Sequence, residues 1–200
     1  MISKLITVSK LAGFCPGVRS ADEKIRKLIG DRSENEKIYT LGNLIHNRIY
    51  NEKLSLMGVQ SVSIDELENR IIENEGAHVS VLIRTHGITK TDEQYLRHLA
   101  EKYANFTFYD ATCPFVKRIH RIADENTNDG TVFLLYSDPS HPEAKGIMSY
   151  AKGASYSAPD ALCIVKFQTT SAKRSLCAFV ACQGGSGLQD RTSGGLHCKT

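Results

Sequence analysis

Short apolar runs alternate with longer stretches of helical spacing along most of this chain. Lys4 to Lys10 (KLITVSK) reads as a strand and Val18 to Ile29 as a helix, followed by a charged loop to Lys37. Ile38 to Leu41 is a second short strand, and a helix beyond Asn47 runs to about Met57, with Gly58 as its stop. Val59 to Ile64 reads as a third strand. Asp65 to Ile72 is a helix that Ser63 caps, and Glu66 three residues on completes a capping box. Val79 to Ile83 is a buried strand, and Thr89 or Thr91 caps the helix that follows to about Tyr103. Phe106 to Tyr109 is rich in the types that strands prefer, and Val116, Ile119, Ile122 and Ala123 then recur at helical spacing. Thr131 to Tyr136 and the helix from Pro142 to about Ala151 complete the pattern. Strands alternating with helices of this length predict an α/β fold: repeated small domains, with parallel sheets flanked by helices.

Composition narrows the class of function. Two hundred residues can hold one large domain or two small ones, and 41% apolar with 24% charged residues is ordinary for a globular protein. A formal charge of +3, with no basic run longer than two residues, argues against a nucleic-acid surface. The N-terminus has no apolar signal core, and nothing approaches a membrane-spanning length. The expectation is therefore a cytoplasmic protein with neither nucleic-acid nor membrane partners. In that compartment cysteines stay reduced and serve metals or catalysis rather than disulfides.

The chemistry gathers at strand ends. Cys-Pro-x-Val followed by a basic residue occurs at Cys15 and again at Cys113, each time between a predicted strand and a predicted helix. Free N–H groups and the positive dipole end at such a turn favour a thiolate, and Pro fits the first helical turn. The repeat suggests an internal duplication and a site shared by both thiols. A single free Cys is often just a small buried apolar residue, but a matched pair argues otherwise. His46, His86 and His141 also fall just beyond strand C-termini, the edge where ligands collect in parallel sheets. Each alone reads as an ordinary surface histidine; five such residues on one edge do not. His78, His98 and His120 lack that position and read as structural. Three chemistries remain open on the residues alone. Two Cys and two His can hold zinc, although the close C-x-x-C spacing is absent. A Cys–His pair can act as a thiol nucleophile, although no partner for the His is evident. Alternatively the thiolates ligate an iron–sulfur cluster while the histidines, with Arg84 and backbone N–H groups, bind an anion. Glu143 would then be the proton donor; its plain alternative is a solvated glutamate in a helix's first turn.

GFCPGV, IHNR, RTHG, DATCPFVKRIH and HPEAKG, in this order and spacing, closely resemble the 4-hydroxy-3-methylbut-2-enyl diphosphate reductase (LytB/IspH) family over roughly residues 1 to 152. The resemblance implies three similar α/β domains around a central iron–sulfur cluster, of the 4Fe-4S kind. It also implies reductive removal of an allylic hydroxyl from a small diphosphate substrate. The products would be isopentenyl and dimethylallyl diphosphate, at the last step of the non-mevalonate route, with ferredoxin or flavodoxin as electron donor. By matching motif, Cys15 and Cys113 resemble two of three cluster ligands. His46, His86 and His141 resemble the diphosphate-binding histidines, and Glu143 the acid that relays protons. Gln168-Thr169-Thr170 resembles the element whose first Thr, Thr169, contacts the substrate hydroxyl. The other reading is a non-catalytic metal- or thiol-binding α/β module.

The chain divides on this reading into a first α/β domain over 1–111, an incomplete second one over 112–170, and a divergent, irregular tail over 171–200. The last thirty residues hold five Gly and three Cys but a single acid, Asp190, and their one strand-capable run is Leu176 to Ala181. This composition reads as out-of-frame translation or a truncated gene. The third cluster ligand and the third domain's diphosphate clamp are not evident, so the chain as written is expected to be inactive. It is also expected to expose apolar surface. Cys163, Cys177, Cys182 and Cys198 receive no role.

Overall fold

The computed structural model describes residues 12–158 and 175–180, the side chains of Ala158 and of 175–180 excepted. The predicted strand Lys4 to Lys10, Thr169, Cys163, Cys182 and Cys198 lie outside the described residues. Among the described residues thirteen elements follow one another: α1 (Pro16–Gly30), β1 (Glu36–Leu41), α2 (Arg48–Leu56), β2 (Val59–Val62), α3 (Ile64–Glu73), β3 (His78–Ile83), α4 (Lys90–Lys102), β4 (Phe106–Asp110), α5 (Pro114–Glu125), β5 (Thr131–Tyr136), α6 (Pro142–Tyr150), β6 (Ala154–Ala158) and β7 (Ser175–Val180). The starts and stops obey local rules. Asn47 accepts from the Tyr50 N–H and Thr89 from the Asp92 N–H, while Ser63 donates its N–H and hydroxyl to Glu66. Gly58, at φ +82°, ends α2 where only glycine is unstrained.

The strands form two all-parallel sheets, ordered β2-β1-β3-β4 and β6-β5-β7. Strand alternation builds two cores on the first sheet. Tyr39, Leu41, Val79, Val81 and Ile83 face α3 and α4, meeting Leu67, Ile71, Leu96 and Leu99. Ile38 and Leu82, out of phase with them, join Ala21, Ile25 and Leu54 of α1 and α2. Burial on both faces is why β3 is buried without a break from Val79 to Ile83, Ser80 included, instead of at alternate positions.

The second sheet carries a smaller core, with Phe133, Leu135, Ala144 and Ile147 at its centre. Leu176 to Val180 of the run Leu176 to Ala181 fall in β7, which pairs with β5 from Thr131↔Ser175 to Tyr136↔Val180. Strand β6 escaped the sequence reading because Ala154-Ser155-Tyr156-Ser157-Ala158 has small and hydroxyl side chains and no apolar run. Between the two sheets the seam is largely polar: Lys90 pairs with Asp124 at 2.7 Å, Ser149 accepts from the Lys90 N–H, and Tyr150 donates to Glu93. Among the described residues no helix is long and apolar enough to cross a membrane.

Gly153, at φ +82°, turns the chain from α6 into β6, and a Cβ there would lie 2.7 Å from the Asn128 carbonyl oxygen and 2.9 Å from that of Thr131. Gly153→Ala is therefore expected to cost about 1–3 kcal/mol in denaturant unfolding. Ser63→Ala, which removes a cap only, is expected to cost about 1 kcal/mol.

Candidate functional site

Order β2-β1-β3-β4 places a topological switch point between β1 and β3, because their onward connections leave in opposite directions. The loop after β1 carries His46 and the loop after β3 carries His86. Thr85 ties these loops together. Its N–H and its hydroxyl both donate to the Leu44 carbonyl, at 3.3 and 3.1 Å, while its own carbonyl accepts from the Cys113 N–H at 2.9 Å. The ends of β1, β3 and β4 are thereby held in register by one buried residue.

Three of the histidines expected on this edge meet. The His46 and His86 ring centroids are 4.3 Å apart, and each lies 5.8 Å from that of His141, which arrives from β5 of the second sheet. His141 accepts at Nδ1 from the Glu143 N–H (3.2 Å), so a neutral ring carries its proton on Nε2. Burial, helped by His46, Arg84 and His141, pushes the His86 pKa down to about 4. Arg84 is partly buried beside it, and that burial lowers its pKa. Its Nε–H donates to the Gly87 carbonyl at 3.4 Å, and among the described residues it has no ion pair. A neutral His86 imidazole beside the Arg84 guanidinium presents a donor and a charge to an anion.

Cys15 and Cys113 are the N-cap residues of α1 and α5, each followed by Pro at the first helical position. Neither side chain caps its own helix, which leaves first-turn N–H groups free. The Cys113 sulfur packs against Gly17 in the first turn of α1, so the two Cys-Pro turns adjoin. Cys15 is exposed and Cys113 partly so, with Phe14 and Phe115 exposed alongside. Among the described residues no group of three or more His, Cys, Asp or Glu is arranged to hold a single metal ion. Glu143, in the first turn of α6, is half-buried, and that burial raises its pKa, the direction an acid needs to hold a proton.

Sequence reasoning did not single out Thr85, Gly17, Gly87 or the placement of His120. The His120 ring is buried and stacks on Tyr150 at 4.2 Å, filling space that Gly87 and Gly146 leave open. Its Nε2 is buried and has no hydrogen-bond partner among the described residues. Only tertiary contact distinguishes these residues, so no local pattern could have flagged them. Thr169 lies outside the described residues and is not positioned by this geometry.

Thr85→Val removes the hydroxyl bond to Leu44 at a buried position and is expected to cost about 1–3 kcal/mol, with shifted imidazole NMR signals for His46 and His86. Burial pushes the pKa of His120, like that of His86, down to about 4 from an ordinary 6.5. Between those values the unfolded chain binds more protons than the folded one, so stability is lost as pH falls from about 6.5 to about 4. Thermal unfolding across that range is expected to show the loss, and His120→Phe to reduce it.

The model of the family described as "LytB protein" matches residues 6–183. Relatives named 4-hydroxy-3-methylbut-2-enyl diphosphate reductase include that of Campylobacter jejuni subsp. doylei, 34% identical over 76% of this chain and 48% of its own length. That of Campylobacter hominis is 38% identical over 74% and 47%, and that of Helicobacter pylori 37% identical over 73% and 47%. The chain thus spans about half the length of the curated relatives it matches. Among solved structures, an (E)-4-hydroxy-3-methyl-but-2-enyl diphosphate reductase aligns with TM-score 0.65 at 25% identity, over 90% of this chain and 59% of its own. The Plasmodium falciparum reductase aligns with TM-score 0.65 at 22% identity, over 86% and 49%, a likeness of fold. With a family match that runs through both sheets and every residue of the described site, this chain belongs to the LytB protein family.

Proposed function

We propose that this chain carries the cluster-and-diphosphate portion of an iron–sulfur reductase acting on 4-hydroxy-3-methylbut-2-enyl diphosphate. The observation that carries the reading is the convergence of His46, His86 and His141 on one edge, joined through Thr85 to a turn whose thiol abuts a second Cys-Pro turn. The donor set fits an iron–sulfur cluster in kind. Two cysteines at helix N-termini offer soft thiolate ligands, and free backbone N–H groups can bond sulfide. Cys15 and Cys113 would hold a 4Fe-4S cluster, with further ligands from outside the described residues. When bound, the cluster supplies the electrons that ferredoxin or flavodoxin delivers.

The chain's own residues have separate tasks. The three imidazoles and Arg84 bind and orient the diphosphate. Glu143, protonated more readily because it is half-buried, delivers a proton to the allylic hydroxyl oxygen. The C–O bond breaks, water leaves, and two electrons with a second proton replace it on carbon. Thr169 would contact the same hydroxyl. The products of the whole reductase would be isopentenyl and dimethylallyl diphosphate, and a cytoplasmic setting keeps the thiols reduced.

Anaerobic reconstitution of the chain with iron, sulfide and thiol tests the reading. Protein-bound iron with acid-labile sulfide, lost in Cys15→Ser and Cys113→Ser, is the expected result. Stoichiometric zinc without sulfide would instead establish a non-catalytic metal-binding module. In calorimetry with inorganic diphosphate, His46→Ala, His86→Ala and His141→Ala are each expected to weaken binding about tenfold, roughly 1.4 kcal/mol.

A further inference from the structure

Gly17 occupies the second position of α1, two residues after Cys15 and in ordinary helical conformation; it is not among the glycines with positive φ. Its backbone therefore gives no reason for glycine, which costs a helix roughly 0.5–1 kcal/mol relative to alanine. The reason lies across the site. A Cβ on Gly17 would stand 2.5 Å from the Cys113 sulfur, 3.1 Å from its Cβ and 3.7 Å from its Cα. The first distance is far inside any real carbon–sulfur contact.

We propose that Gly17 is a positioning residue for Cys113: its missing side chain is what lets that sulfur point at the turn shared with Cys15. This rests on the reading of Cys113 as a cluster thiolate. The two ends of the contact differ in how easily they give. The Cys113 backbone is pinned, its N–H donating to Thr85 at 2.9 Å and its carbonyl accepting from the Lys117 N–H at 3.0 Å. Gly17 is buried in a helix whose Ala21 and Ile25 belong to the core. The soft coordinate is the rotation of the Cys113 side chain, which moves the sulfur by roughly 3 Å between staggered positions. An added methyl at position 17 thus re-aims the sulfur, while its 3.1 Å contact with the Cys113 Cβ, which that rotation does not move, is met by a backbone shift of a few tenths of an ångström. It acts on a cysteine far away in sequence and spares its own neighbour Cys15. A merely structural glycine would show neither property.

The test compares the wild-type chain with Gly17→Ala. In the metal-free protein, alkylation followed by peptide mass spectrometry reads each cysteine separately. The expected result is a changed rate at Cys113, by fivefold or more, with Cys15 unchanged and a cooperative unfolding transition retained. Reconstitution should then incorporate at least fivefold less iron and sulfide. Equal alkylation at Cys113 and equal iron and sulfide in the two proteins would overturn the proposal. If the wild type itself takes up no cluster, the proposed function fails, while the alkylation comparison still decides whether Gly17 aims Cys113. Should Gly17→Ala lower stability, the same substitution in a Cys113→Gly background, which removes both the sulfur and the Cβ, separates the causes. Recovery there confirms the contact, and a loss that persists overturns it.

Discussion

Everything at this site depends on how Thr85 is bonded. Parallel strands end in loops that are free to diverge, because the ladder that aligns them stops where the site begins. Here one buried threonine continues the alignment by one residue. It donates twice to the loop after β1 and accepts from the loop after β4, while itself standing at the end of β3. These are short-range bonds in a dry place, so the cost of leaving any of them unmade is high. The positions of His46, His86 and Cys113 are consequences of that requirement, since each is within two residues of a bonded group.

The same burial sets the electrostatics. At the end of β3 burial moves the His86 imidazole toward its neutral form. The neutral form is the useful one for a pocket that already holds Arg84, because it offers N–H donors without adding repulsion. Glu143 experiences burial with the opposite result for its charge and the same chemical logic: a carboxyl kept ready to donate. One physical cause, partial exclusion of water at the sheet edge, thus moves both His86 and Glu143 toward their uncharged forms.

Much of this was legible in the sequence. Helical and strand periods placed the elements from α1 to α6 to within a few residues, and the alternation of long helices with short strands gave the parallel fold. The post-strand rule gathered His46, His86 and His141 correctly, because in such sheets topology decides which loops meet. What stayed hidden has no local signal. Thr85 resembles any threonine after a strand, and β6 lacks the apolar run that marks its neighbours. Gly17 and Gly87 matter through what lies opposite them in space. The fit of the His120 ring between two glycines and a tyrosine is likewise a tertiary fact, even though reading it as structural agrees with its burial.

Two of the three site histidines ride on the first sheet and the third on the second. Between those sheets the hydrophobic clusters stay separate, and the seam is made by groups such as Lys90, Asp124, Glu93 and Tyr150. Polar contacts of that kind hold an orientation more than they supply cohesion. A ligand that touched all three imidazoles would therefore be a rivet through the joint, and its occupancy would make two separately cored units melt as one.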